Sequence, residues 1–179
     1  VGLCYYNGWG GVAKDYAEAV RLFSLAAKQG HAAAQSQLGV MFIVGKGVAK
    51  DCVEALRLFS VAAVQGLAIA QVHLGSMLWK GQGVARDCAE GLRFFRLAAA
   101  QGYAYAQVCL GRMYEKGRGV ARDNAEAVRL YSLAVTQGNA TAQNNLGLMF
   151  EKGRGVAQDF AEAVRLFSLA SAQECIWEE

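Results

Sequence analysis

Apolar positions recur along this chain at helical spacing, and the spacing itself repeats. In the segment 51–63, Ala55, Phe59, Ala62 and Ala63 stand at i, i+4, i+7 and i+8, on one face of a helix. The same face returns as Ala19, Phe23, Ala26, Ala27 and as Ala127, Tyr131, Ala134, Val135. An Asp with a Glu three residues later opens each copy: Asp15 and Glu18, Asp51 and Glu54, Asp87 and Glu90, Asp123 and Glu126, Asp159 and Glu162. Asp at an N-cap accepts from orphan backbone N–H groups, the Glu can reach back to complete a capping box, and both suit the positive end of the helix dipole. The pattern closes at Gln29-Gly30, Gln65-Gly66, Gln101-Gly102 and Gln137-Gly138. Glycine there takes the left-handed conformation that ends a helix.

A second helical pattern, Ala-x-Ala-Gln-x-x-Leu-Gly-x-Met-aromatic, comes before it, as in residues 104–114 and 140–150. Leu110, Gly111 and Tyr114 share a face of this helix. A mid-helix Gly costs about 1 kcal/mol against Ala. Its recurrence as Gly39, Gly75, Gly111 and Gly147 predicts a neighbouring helix that crosses close. Gly-x-Gly-Val-Ala-x-Asp joins the two patterns at residues 45–51, 81–87, 117–123 and 153–159, spaced 36 residues apart. A looser copy at residues 8–15 carries one extra residue. The two glycines permit backbone angles that other residues avoid, and the Val is expected to plug back into the core.

These elements predict an all-α repeat array of antiparallel helix pairs with a 36-residue period. The array is read as a single body over residues 1–179, in five units with boundaries near 38/39, 74/75, 110/111 and 146/147 and no linker. The first helix of the first unit is cut short at Val1, and no Met begins the chain. At the other end Glu174 follows Gln173 where the closing glycine is expected, and Cys175, Ile176 and Trp177 break the pattern. Glu178 and Glu179 alone make a weak polar cap, which exposed array ends need. Further repeats in a longer parent chain, or end-to-end self-association, are the expectation.

Composition changes this picture little. The hydrophobic fraction of 54% is rich in alanine, which suits close helix packing, and proline is absent. The 21 glycines recur in phase, so the chain is not low-complexity. A net charge of +3, mixed in sign, does not argue for nucleic acid. Residues 58–79 and 130–150 carry no formal charge and have the length of a membrane span. Gln65, Gln71 and His73 interrupt the first, and Gln137, Asn139, Gln143, Asn144 and Asn145 the second. Burying those amides in lipid is costly, so no membrane span is expected.

The motif set Ala-Gln-x-x-Leu-Gly-x-Met-Tyr, Gly-x-Gly-Val, Asp-x-x-x-Ala and Ala-Ala-x-Gln-Gly resembles the Sel-one-like repeats (SLR), relatives of the tetratricopeptide repeats. The period of 36 separates it from the 34-residue tetratricopeptide unit. The resemblance covers essentially the whole chain. It implies an all-α, right-handed α/α superhelix (solenoid), with first helices on the concave side and second helices on the convex side. Many members of that family have Pro in the loop where Ala13, Ala49, Ala85, Ala121 and Ala157 stand here.

No catalytic, cofactor-binding or metal-binding residues are expected. Cys4, Cys52, Cys88, Cys109 and Cys175 are odd in number and lack the regular pairing that staples some secreted relatives, which favours free thiols in a reducing, cytoplasmic compartment over secretion. His31 and His73 have no His or Cys at i+3 or i+4, so they read as a helix-end and a helix-surface residue. Gly45-Lys46-Gly47 lacks the Ser or Thr and the preceding strand of a phosphate loop. Ser24, Ser60, Ser132 and Ser168 read as helix residues bonded back to their own backbone. Arg21, Arg57, Arg93, Arg129 and Arg165 sit three residues after each capping Glu, which predicts an ion-pair ladder worth roughly 0.2–0.5 kcal/mol per pair. The sequon Asn139-Ala140-Thr141 reads as coincidence.

By analogy with tetratricopeptide arrays, a concave groove is expected at the positions flanking Leu-Gly and the aromatic of each first helix. These are Tyr6 and Asn7; Val40, Ile43 and Val44, with Ser36; Val72, Ser76, Trp79 and Lys80; Val108, Arg112, Glu115 and Lys116; and Asn144, Leu148, Glu151 and Lys152. Such a groove is apolar and aromatic toward the N-terminus and of mixed charge toward the C-terminus, joined there by Arg118 and Arg154. Apolar anchors beside charge suit a peptide or protein segment. The plainer alternative is that the valines pack between repeats and the charges are solvated. The expected function is a non-enzymatic scaffold or adaptor that binds a protein or peptide, and not nucleic acid. Two rivals are a hydrolase of the β-lactamase-like type linked to cysteine-rich relatives, and a nucleic-acid-binding helical repeat.

Overall fold

The computed structural model describes residues 1–11 and 13–174. Val12, in the first loop, and the C-terminal run Cys175, Ile176, Trp177, Glu178 and Glu179 lie outside the described residues. The described chain is all α. Five first helices, α1 (Gly2–Asn7), α3 (Ala32–Val44), α5 (Ala68–Lys80), α7 (Ala104–Lys116) and α9 (Ala140–Lys152), alternate with five second helices. These are α2 (Tyr16–Lys28), α4 (Cys52–Val64), α6 (Cys88–Ala100), α8 (Asn124–Val135) and α10 (Phe160–Glu174). The expected boundaries at 38/39, 74/75, 110/111 and 146/147 fall inside α3, α5, α7 and α9. The period is that of the sequence, but its folding phase begins where each first helix begins.

The chain divides into two compact units, Val1–Phe94 and Phe95–Glu179. In the first, one apolar cluster gathers Ala19, Phe23, Leu38, Met41 and Leu58, and a second gathers Phe59, Ala62, Ala70, Leu74 and Met77. In the second unit, Val108, Tyr131, Ala134, Leu146, Met149 and Leu166 form the corresponding core. Within each unit a helix packs mainly against its neighbours in sequence, as expected of a solenoid.

Local chemistry sets each helix end. The Asp caps accept from the backbone N–H of the third helical residue, as Glu18 N to Asp15 at 3.0 Å and Glu126 N to Asp123 at 2.9 Å. The expected capping box forms only by half. The N–H groups of Asp51, Asp87, Asp123 and Asp159 donate instead to carbonyls of Phe42, Leu78, Tyr114 and Phe150, which closes the hairpin loop. The Glu side chains are taken by Arg. At the other end, Gly30 N donates to Ala27 O and His31 N to Ala26 O, the paired bonds of a Schellman motif, and Gly66 and Leu67 repeat them.

The close crossing expected at the mid-helix glycines is present. A Cβ on Gly39 would lie 2.9 Å from the Phe59 ring, on Gly111 2.6 Å from Tyr131, and on Gly147 2.6 Å from Phe167. Gly2 faces Phe23 in the same way, at 2.8 Å. The loop glycines add a constraint that the sequence did not announce. Gly47 has φ 71°, and a Cβ there would overlap the backbone of Tyr16, the first residue of the preceding repeat's second helix. Gly83 stands likewise against Cys52, and Gly155 against Asn124. Val48 and Val156 pack against the cores, as the plug reading expects.

Gly66 tests the difference. It shares a positive φ with Gly47, yet a Cβ there meets nothing within 4 Å. Gly66→Ala is expected to cost only the left-handed backbone term, about 1–2 kcal/mol. Gly47→Ala is expected to cost a further ~1–3 kcal/mol from overpacking, read from urea unfolding followed by circular dichroism. Equal losses would refute the inter-repeat role of the loop.

Candidate functional site

The first helices divide their residues between core and surface. Val72 and Val108 are each 3% exposed, and Val108 belongs to the core of its unit. Both are corrections to the expected groove, because a side chain closed in by packing cannot meet a partner. Ser36 is buried too. Val40 and Ile43 are half-buried and lean on the Phe59 cluster, so packing claims much of their surface. Val44, 53% exposed, and Leu148, 41% exposed, stand free, with half-buried Trp79 and Ser76. Lys80, Arg112, Lys116 and Lys152 are exposed, and Asn144 and Glu151 are half-buried.

Two groups of expected groove residues are already engaged. Tyr6 meets Tyr16 edge to face at 5.4 Å between ring centres, and the Lys46 ammonium lies 5.5 Å and 5.3 Å from the two rings. Asn7 ends α1 beside them. Glu115 accepts a hydrogen bond from the fully buried Tyr131 hydroxyl at 3.0 Å and lies 3.9 Å from Arg154. Tyr131 stands where Phe23 and Phe59 stand in earlier repeats. Burial and the Glu115 charge both push its phenol upward, so the hydroxyl stays a donor.

Buried glutamines, which the sequence reading passed over, tie helices together. Gln35 Nε2 donates to Ala27 O at 3.2 Å, in the preceding repeat, while its Oε1 accepts from Gln65 Nε2 at 2.8 Å. Gln71 Nε2 donates to Ala63 O at 3.3 Å, and Gln137 Nε2 donates to Gln107 Oε1 at 3.0 Å. The only signal in the sequence is that Gln recurs in both Ala-x-Ala-Gln and Gln-Gly.

The remaining candidates have structural roles. The Arg–Glu ladder forms in all five repeats, with Nε and Nη2 both donating, as at 2.8 and 2.6 Å for Arg57 and Glu54. The Arg partners hold the carboxyls of Glu18, Glu54, Glu126 and Glu162 below their ordinary value. Ser60, Ser132 and Ser168 donate back to Leu56, Val128 and Val164 carbonyls. His31 ends a helix as expected. His73 departs from its surface assignment: it is half-buried, stacks on Phe59 at 4.7 Å, and desolvation lowers its pKa. Asn139 is a helix N-cap, accepting from Ala142 N at 2.9 Å. Cys4, Cys52, Cys88 and Cys109 form no disulfide among the described residues. Among the described residues no three His, Cys, Asp or Glu side chains gather as a metal site needs, and no helix is long and apolar enough to cross a membrane.

Two measurements check these assignments. Glu115→Ala should leave the Tyr131 hydroxyl buried without its partner, at about 1–3 kcal/mol, and Tyr131→Phe on top of it should recover much of the loss. A strictly additive cycle would refute the coupling. The pH dependence has a definite sign. A Glu whose folded pKa is depressed adds stability above its unfolded value near 4.5, and that stability is lost as pH falls through the folded value. Glu126→Gln should therefore lower Tm at pH 7, and the gap from the parent should narrow at pH 3.

Comparison with known proteins follows the same repeat phase. The model of the Sel1 repeat matches residues 1–31, 32–67, 68–103, 104–139 and 140–175. Among solved structures, a protective antigen present in uropathogenic Escherichia coli strains, displaying an SLR fold, is 38% identical with a TM-score of 0.86. The match covers 96% of this chain and 37% of that one, so this chain spans little more than a third of that relative. A Sel1 repeat protein from Oxalobacter formigenes is 31% identical with a TM-score of 0.87, over 96% of this chain and 68% of that one. An immunity protein from Pseudomonas aeruginosa is 25% identical with a TM-score of 0.68, over 96% and 66%. No curated protein sequence matches the chain.

Proposed function

The chain belongs to the Sel1 repeat family, whose members are typically protein–protein interaction scaffolds, and from that premise we propose that it binds a peptide or protein segment on the face of its first helices. The observation that carries this reading is the pairing of exposed apolar side chains with unneutralised cations. In the Val1–Phe94 unit exposed Val44 ends α3, and half-buried Trp79 with exposed Lys80 ends α5; in the other, exposed Leu148 stands on α9 with Lys152. Lys80, Arg112, Lys116 and Lys152 pair with no carboxylate among the described residues. An apolar anchor beside a charge offers both desolvation energy and register. Val72, Val108 and Ser36 drop out of the surface, and Val40 and Ile43 contribute only their edges.

A hydrolase would need a nucleophile and a base converging in a cleft, whereas Ser60, Ser132 and Ser168 bond to their own helices and His73 stacks on Phe59. A nucleic-acid binder gains from several aligned cations, whereas Glu115 and Glu151 stand among the basic residues here.

Affinity capture from the source cell with Trp79→Ala and Arg112→Glu tests the reading. Each substitution should reduce retained partner at least about fivefold while leaving helical circular dichroism unchanged, since anchors of this kind carry ~1 kcal/mol or more. Retention that neither substitution alters would place the binding surface elsewhere.

A further inference from the structure

The second helices carry a different feature. In the Val1–Phe94 unit a cleft of about 380 Å³ opens between α2 and α4 over α3, walled by Lys28, Leu38, Phe42 and Leu58 and by the paired Glu54 and Arg57. In the Phe95–Glu179 unit a cleft of about 530 Å³ opens between α6 and α8 over α7. Its walls hold the residues two repeats later, including Leu110, Tyr114, Leu130 and the paired Glu126 and Arg129. A cleft that recurs with the repeat belongs to the architecture and by itself says nothing of a ligand. The differences between the two copies say more.

At one wall the second helices have Ser24, Ser60, Ser132 and Ser168, but α6 has Arg96. At the floor α3, α5 and α9 have Phe42, Leu78 and Phe150, whereas α7 has Tyr114 and α1 has Tyr5. The guanidinium and the phenol meet: Arg96 Nη2 donates to the Tyr114 hydroxyl oxygen at 3.3 Å. The hydroxyl accepts in that bond, so its own hydrogen is free to donate. Arg96 is exposed and forms no ion pair among the described residues. Its neighbour Arg129 is held by Glu126 through two bonds of 2.7 Å. The cleft thus offers one unneutralised guanidinium and one phenol O–H above apolar walls. A planar guanidinium fork next to a hydroxyl donor matches a carboxylate.

We propose that the α6–α8 cleft is a separate binding site for an acidic peptide segment. One apolar side chain of the segment seats against Leu110 and Leu130, and a neighbouring carboxylate is held by Arg96 and Tyr114. The volume lies within the range of small-ligand pockets and takes one or two side chains. A single free cation favours one carboxylate over a polyanion, which gains from many phosphate contacts. The α2–α4 copy lacks the pair, having Ser24 and Phe42 in its place, and its Lys28 is a point charge on a flexible stem.

Fluorescence anisotropy with a labelled, capped hexapeptide of alternating Leu and Glu tests the site, with the Leu and Gln counterpart as control. The acidic peptide should bind saturably and the Gln peptide at least about tenfold more weakly. Arg96→Ser, which installs the residue of the other repeats and so keeps the helix, should weaken binding by a similar factor, and Tyr114→Phe by about fivefold or more. Trp79→Ala and Arg112→Glu should leave it unchanged, which separates this site from the first-helix face. No saturable binding, equal binding of the Gln peptide, indifference to both Arg96→Ser and Tyr114→Phe, or tighter binding of a single-stranded oligonucleotide would each overturn the proposal.

Discussion

An aromatic ring lying where a side chain would otherwise stand sets the distance between the two helices of a repeat. Phe59 lies on Gly39, Tyr131 on Gly111 and Phe167 on Gly147. The ring needs the missing Cβ, and the glycine needs the ring to fill the gap that its small size leaves. Around this contact the alanines at Ala55, Ala62, Ala127 and Ala134 keep the crossing close, and all four are fully buried. The hairpin loop follows from the crossing, since the second helix must start against the end of the first. The backbone bond from each capping Asp to a carbonyl of the preceding helix records that fit.

Between repeats the contact is of another kind. The second loop glycine lies on the first turn of the preceding second helix, and the buried Gln35 amide donates to a carbonyl of the preceding repeat while accepting from Gln65 of its own. Apolar contact gives cohesion here, and the glutamines add direction, because an amide left unbonded in that setting is costly. A repeat that slipped in register would strand them. The same economy leaves surface positions free of structural duty, so the residues that differ between copies can vary without touching the frame.

Those differing residues separate the two surfaces considered for binding. On the first helices, valines at different repeat positions have unlike fates: Val44 at the end of α3 is exposed, whereas Val72 within α5 is buried. On the second helices, Arg96 interrupts a column of serines and meets the hydroxyl of Tyr114. Glu115 and Tyr131 also bond to one another, the Tyr131 ring lying in the core.

Helix positions, caps, closing glycines, the ion-pair ladder and the close crossing at Gly111 were all legible in the sequence, because each rests on interactions within one turn or one hairpin. Burial of individual valines was not, since spacing alone does not say which side of a helix the next repeat covers. The halved capping box, the stacking of His73 on Phe59 and the fit of Gly47 against Tyr16 also depend on residues brought near only by folding. The sequence by itself determined the repeat and its period, since local backbone chemistry recurs with every copy. Tertiary structure alone decided which of the variable side chains face solvent and which face each other, because packing between helices, and not the order of residues along them, assigns those contacts.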